Sequence, residues 1–482
     1  MRNYKHTWLL GTILSLAIII IPILIALPRN AQPIDDPFSK LPKIAIHVDH
    51  SALMQGPFNT GQEVTQACLV CHPDASEQVM HTSHYTWESD SVYSPDHKRM
   101  VTLGKKNAIN NFCISIESNW PACTACHVGY GWEDESYDFS HKENVDCLVC
   151  HDHSGGYKKS KKGNPAKGVD LLAAARSVGA PTRENCGGCH FDGGGGNAVK
   201  HGDLDGSLKF PSERIDVHMG RYDFSCTTCH RTEDHNIRGK ASSVSIGDLN
   251  TQNQVQCIDC HNQEPHRDAR LNEHTEAVAC QTCHVALMAR KDATKIHWDW
   301  STAGQDLPQD AHQYLKIKGS FVYKKNHRPD YAWYNGTTGR YLKGDIIDPT
   351  QVTPFNKPNG NIKDPKAKIW PFKIHYGKQI YDKTNNYFLL PKTVGAGGYW
   401  TEFDWDQALR LGAENSGLPY SGEYDFAETS FYWTTSHMIT PKDEALQCID
   451  CHSDVGRLDW QMLGYDGDPV THGSRFLSGG ER

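Results

Sequence analysis

Cys123-Thr-Ala-Cys126-His127 and Cys147-Leu-Val-Cys150-His151 are two of eight copies of one five-residue pattern in this chain. The others are Cys68-Leu-Val-Cys71-His72, Cys186-Gly-Gly-Cys189-His190, Cys226-Thr-Thr-Cys229-His230, Cys257-Ile-Asp-Cys260-His261, Cys280-Gln-Thr-Cys283-His284 and Cys448-Ile-Asp-Cys451-His452. Together they consume all but one of the 17 cysteines. In Cys-x-x-Cys-His, two thiols form thioethers to a haem and the adjacent His ligates its iron. Zinc ribbons also use paired cysteines, but they need no His after every second Cys. The repetition predicts eight covalently bound haem c groups, with His72, His127, His151, His190, His230, His261, His284 and His452 as iron ligands. The chemistry is redox chemistry.

At 482 residues the chain is long, yet only 38% of it is hydrophobic. Seven motifs crowd between Cys68 and His284, too densely for separate protein cores. Haems, being large, flat and apolar, would supply most of the interior themselves. One continuous octahaem cytochrome domain over 42–482 follows, containing a haem-free wrapping segment over 285–447. The fold class expected is mainly α with much irregular structure, a multihaem cytochrome c fold organised around eight covalently bound haems. Acidic residues outnumber basic ones, 57 to 49, for a net charge of -8. That balance argues against a nucleic-acid partner.

Arg2 and Lys5 precede an apolar run over 8–27, long enough to span a bilayer. Small-residue cleavage sites are poor, because Ala31 follows Arg29 and Ala26 follows Leu24. An uncleaved signal anchor is expected, with residues 1–7 in the cytoplasm and a linker over 28–41. A cleaved signal peptide is the alternative. In both cases the haem domain is exported, and the periplasm fits best.

Local signals mark a few elements. Asp170 to Val178 reads as a short helix before Gly179 and Pro181. Thr440 as N-cap with Pro441 and Asp443 reads as a helix start that delivers Cys448. Tyr331 to Tyr341, centred on Asn335-Gly336, reads as a hairpin, and Asp404 to Glu414 as a helix. The lysines of Tyr157 to Lys167 suggest a solvated loop, with anion steering as the sharper alternative.

An iron with two His ligands passes electrons, whereas catalysis needs one with an exchangeable position. Nineteen His lie outside the motifs. The best distal candidates are His84, His201, His218, His235, His266, His274 and His437, seven for eight irons. His81, His97, His141, His153 and His297 could substitute. Cys113 is the leftover thiol, by default an inert small hydrophobe. A thiolate beside iron could instead attack a sulfur–sulfur bond. The run Gly193 to Gly196 permits close backbone approach. Lys200 by default is an exposed charge, but buried beside iron its neutral amine could ligate metal.

These stretches resemble the octahaem tetrathionate reductase family, related to hydroxylamine oxidoreductase and the multihaem nitrite reductases. Three signatures carry the resemblance. They are Asn110-Asn-Phe-Cys113 with Cys123-Thr-Ala-Cys126-His127-Val-Gly-Tyr-Gly-Trp132, then Cys186-Gly-Gly-Cys189-His190-Phe with Val199-Lys200-His201-Gly-Asp-Leu-Asp205, and Leu271-Asn-Glu-His274 before Cys280. The resemblance implies a reductase whose reaction centre is the second haem. Lys200 would be an unusual axial ligand there, with His127 and Cys113 beside it. Implied substrates are small anions, tetrathionate and nitrite, together with hydroxylamine. Electrons would come from a membrane or periplasmic donor, and the membrane itself is a partner through the N-terminal anchor. Pentahaem nitrite reductases mark their active haem with Cys-x-x-Cys-Lys, which is absent here. Alternatives are a hydroxylamine- or hydrazine-oxidising enzyme, whose cross-linking Tyr is not identifiable, and a non-catalytic conduit with eight bis-His haems.

Overall fold

The computed structural model describes residues 7–26, 36–43, 47–94, 96–110, 116–239, 254–473 and 475. Cys113 and most of the linker predicted over 28–41 lie outside the described residues. The chain begins with a helix over Thr7–Ala26 that carries no charged side chain. Leu14 and Ile18 on this helix are each 66% exposed. Twenty residues at about 1.5 Å rise make a rod of about 30 Å.

The haem-motif region is built from helices of one or two turns. The Cys-x-x-Cys spacing explains this, since residues three apart share one side of a helical turn and can grip one group. Such turns are Leu148–His151, Cys226–Cys229, Cys280–His284 and Cys448–Cys451. Longer pieces lead into two motifs, Gly61–Leu69 and Arg183–His190. Thr60 caps the first by accepting from Glu63 N, and Thr182 with Asn185 forms a reciprocal capping box on the second. The helix expected from Asp170 runs over Leu171–Arg176, with Asp170 as its N-cap.

Two local expectations change. The Thr440 hydroxyl bonds to the His284 carbonyl at 3.2 Å and caps nothing. Pro441 instead caps a single 3-10 turn over Lys442–Glu444, and a separate turn capped by Gln447 carries Cys448. The lysine loop is also not simply solvated. Lys159 turns inward onto the buried carboxylate of Asp146, while Lys162 pairs with Glu133 at 2.6 Å.

The segment over 285–447 is a nine-stranded sheet, so the molecule is a mixture of helix, sheet and irregular chain where helix was expected to dominate. Its strands are β1 (Thr294–Asp299), β2 (Tyr314–Leu315), β3 (Gly319–Lys324), β4 (Asp330–Tyr334), β5 (Thr338–Arg340), β6 (Thr353–Pro358), β7 (Lys368–Asp382), β8 (Tyr387–Phe388) and β9 (Tyr424–Thr434). The order is β2-β3-β1-β7-β9-β6-β5, with β4 and β8 also pairing β7. Aromatic and β-branched residues dominate these strands and favour the pleated, half-buried surface. Along β7 every odd-numbered residue from Ile369 to Tyr381 is buried, while Tyr376 on the other face is exposed.

Both strands of the predicted hairpin form, but not with each other. β4 pairs β7 antiparallel, Tyr334 opposite Lys368, and β5 pairs β6, Arg340 opposite Asn356. Asn335 explains the divergence, because its side chain reaches outward to Asp364 at 2.7 Å and folds Thr337 back onto itself. The predicted helix near Asp404 is Trp405–Ser416, capped by Asp404 and closed by Gly417 at φ 67. An aromatic core including Trp298, Trp300, Phe355, Phe388, Phe431 and Trp433 holds this unit together.

Candidate functional site

Seven motif histidines each face a second histidine. The ring-centroid distances are 6.3 Å for His72–His50, 6.1 Å for His190–His84, 6.5 Å for His151–His235 and 6.1 Å for His261–His218. They are 6.3 Å for His230–His437, 6.1 Å for His284–His266 and 6.2 Å for His452–His274. Two imidazoles ligating one metal from opposite sides, through bonds of about 2 Å, place their centroids roughly 6 Å apart. Ring orientation agrees. His50, His151, His230 and His274 use Nδ1 against the backbone carbonyls of Val48, Gly179, Arg238 and Arg270, at 2.7 to 2.9 Å. His235 and His266 use Nδ1 against Gln78 and Asn272. His437 and His452 use it against Asp203 and Asp468. Each such bond leaves Nε2 for a metal. The residues fit haem iron held between paired rings.

His127 breaks the pattern. Its Nε2 lies 2.7 Å from the Tyr85 carbonyl, and no second His faces it among the described residues. The ring is fully buried in a box of Tyr85, Trp87, Trp132, Tyr137 and Phe139. Burial pushes its imidazole down to about 3, so it is neutral. A carbonyl only accepts, so Nε2 carries the proton and is committed to Tyr85. The sequence predicted His127 as an iron ligand.

Of the distal candidates, His84, His218, His235, His266, His274 and His437 stand opposite motif histidines. His201 does not: its ring packs edge-on against Trp433 at 4.5 Å. His50 takes the remaining place, opposite His72. Sequence reasoning missed it, although His47-Val-Asp-His50 stands a short way before the first motif. None of the substitutes faces a motif histidine among the described residues: His81 bonds the Glu77 carbonyl through Nδ1, His97 meets Asp345, His141 meets Asp138, His153 the Ala180 carbonyl, and His297 lies near Glu428.

The motifs also touch one another. Thiol contacts join Cys68 to Cys147, Cys126 to Cys189, Cys186 to Cys226 and Cys257 to Cys280. Cys150 and Cys186, Cys229 and Cys260, and Cys283 and Cys451 are within electrostatic reach. Numbered along the chain, the haem sites therefore run 1-3-4-5-6-7-8, with site 2 branching from site 4. Site 2 therefore has one neighbour in this arrangement.

Lys200 stands at that branch. A Cβ on Gly193 would meet the Cys189 carbonyl at 2.3 Å and Lys200 Nζ at 2.8 Å, so glycine lets the amine fold back over the fourth motif. Gly194, Gly195 and Gly196 follow at φ 80, 118 and 138, a path that suits glycine alone. Lys200 is close enough to act electrostatically on Cys126 and His190. Its backbone is held from the sheet. Lys373 of β7 donates to the Val199 carbonyl at 2.8 Å, the Lys200 carbonyl at 2.7 Å and Thr294 Oγ1 at 2.6 Å.

On the same face of β7, His375 is fully buried and Gln379 donates to the Asn110 carbonyl at 2.8 Å. One strand thus fixes both the Lys200 loop and the residue that leads toward Cys113. Lys295 of β1 is also buried, its Nζ 3.8 Å over Trp298 and 3.6 Å over Phe321. Burial pushes the Lys373 ammonium well down from its ordinary value. Lys295, Lys373, His375 and Gln379 were not anticipated from sequence. The period-2 alternation of 369–381 was the available signal, with polar residues on its buried phase.

Three cytochrome family models match the chain. They are cytochrome c554 and c-prime over residues 67–152, cytochrome c7 and related cytochrome c over 212–293, and bacterial cytochrome c over 295–455. An uncharacterized protein of Archaeoglobus fulgidus is 26% identical over 239 residues, covering 39% of this chain and 80% of that one. The crystal structure of octaheme cytochrome c from Shewanella oneidensis is 50% identical, with a TM-score of 0.82 over 88% of this chain and 98% of that chain. Eight attachment motifs, seven facing histidine pairs and this end-to-end likeness lead to one conclusion: the chain belongs to the octahaem cytochromes c and carries covalently bound haem c.

Proposed function

We propose that this protein is a periplasmic, membrane-tethered reductase of the octahaem tetrathionate reductase kind, acting on tetrathionate at its second haem, with nitrite and hydroxylamine as further substrates. One observation carries the reading: of eight motif histidines, only His127 has no histidine opposite it among the described residues, and its Nε2 is bound to Tyr85. A passive conduit would pair all eight. Lys200 is the residue that would hold the second haem's iron, because its amine folds over the neighbouring fourth motif and its backbone is fixed by Lys373.

Haem c, when bound, supplies electrons and one coordination position that a solute can exchange. The chain supplies positive charge. Lys200 lies beside the branch, and a cation there attracts a small dianion strongly where the dielectric is low. Tetrathionate plus two electrons gives two thiosulfates. The Cys113 thiolate would displace the first thiosulfate by attack on the central sulfur–sulfur bond. Two electrons then release the second thiosulfate and restore the thiolate.

The tether rests on the charge-free apolar run over 8–27 of the sequence. A reduced-dye assay of the holoprotein against tetrathionate, nitrite, hydroxylamine and sulfite tests the activity. Fast turnover of tetrathionate, lost in Lys200→Leu, is the expected result. No turnover of any of the four, or full turnover in the variant, overturns the reading.

A further inference from the structure

The groups that bond the paired histidines through Nδ1 differ along the haem relay, and two of them are carboxylates. Where the hydrogen-bond partner of a paired histidine's Nδ1 is defined, it is a backbone carbonyl or a side-chain amide at His50, His151, His230, His235, His266 and His274. At His437 it is Asp203 Oδ2, at 3.2 Å. At His452 it is Asp468 Oδ1, at 2.6 Å. Both carboxylates are fixed by the backbone as well. Asp203 is fully buried and accepts from Ser436 N at 2.5 Å and His437 N at 2.7 Å. Asp468 caps the turn Pro469–His472 and accepts from Val470 N at 2.9 Å.

We infer that Asp203 and Asp468 are positioning residues that lower the reduction potentials of the fifth and eighth haems below the values their imidazole pairs would set without a carboxylate. A carboxylate on Nδ1 makes the imidazole a more basic ligand and sets a negative charge close to the iron. Both effects favour the ferric ion over the ferrous one. The inference rests on the pairings His230–His437 and His274–His452. The two centres lie at opposite ends of the arm 8-7-6-5, and the fifth lies next to the fourth, from which the second branches. The short arm 1-3 has no carboxylate among its defined Nδ1 partners.

The test is a potentiometric titration of the holoprotein followed by EPR, in the wild type, Asp203→Asn and Asp468→Asn. Asparagine keeps an acceptor oxygen and removes the charge. Each variant is expected to move one of the eight haem waves to more positive potential, a different one in each, and the double variant to move both. Unchanged waves with all eight haems still bound would overturn the inference. Asp203 is buried and its variant can fail to fold, so Asp468, at the surface, decides the case on its own. The wild-type EPR spectrum tests the pairing separately, because bis-His signals report ligation irrespective of potential.

Discussion

The Nε2–H of His127 donates to the carbonyl of Tyr85 at 2.7 Å, while the amine of Lys200 folds toward Gly193, next to the fourth motif. Among the eight motif histidines this is the one whose metal-binding nitrogen is already spent. A separate spectroscopic identity for the second haem follows from that hydrogen bond. EPR of the oxidised holoprotein should show seven bis-His low-spin centres and one of different ligation. Eight equivalent bis-His sets would refute it.

Replacing Lys200 by Leu should alter only that eighth signal. Turnover should fall about 100-fold, the usual order for losing one charged group aimed at a reacting centre. Changes spread over many haems would point to a general packing role instead.

Lys373 saturates three buried acceptors with one ammonium. Lys373→Met should cost about 2–4 kcal/mol in denaturant unfolding, since the Val199 and Lys200 carbonyls and Thr294 lose their donor in a buried site. Activity should drop with it, because the Lys200 backbone loses its fixed point. An unchanged unfolding midpoint would contradict these contacts.

Cys113→Ala should reduce tetrathionate turnover far more than nitrite turnover, because only the first substrate has a sulfur–sulfur bond for a thiolate to attack. Equal losses, or none, would remove the thiol from the mechanism.

Asp382 closes β7 and accepts backbone N–H groups of Thr384 at 3.0 Å, Asn385 at 2.8 Å and Ser421 at 2.7 Å. Burial pushes its carboxyl up, but these bonds outweigh burial and hold it below the ordinary carboxylate range. A lowered folded value means a stabilising contribution that is complete above the unfolded value of about 3.9 and disappears as pH falls through the folded one. Acid titration of unfolding should show that loss, and Asp382→Asn should remove its pH dependence while costing about 1–3 kcal/mol near neutrality.

Haem attachment is local covalent chemistry, and so it was readable: two thiols and a His within five residues specify a site wherever the chain goes. The helix ends at Asp170 and Asp404 were equally legible, because a cap needs only its own first turn. The sheet was harder. Its strands were seen as a hairpin at Asn335-Gly336, but strand pairing depends on edges far away in sequence, and β4 and β5 found β7 and β6 instead.

Sequence alone determined that the chain holds eight haems, that one thiol is left over, and that Lys200 lies in an unusual glycine-led loop. Tertiary structure alone decided which rings face each other. His50 rather than His201 stands opposite a motif histidine, because a distal ligand is chosen by where two segments cross in space and carries no local pattern. It also decided that His127 spends its Nε2 on Tyr85 and that β7 turns Lys373 inward to the Lys200 loop. Both are contacts between distant segments, which no spacing rule encodes.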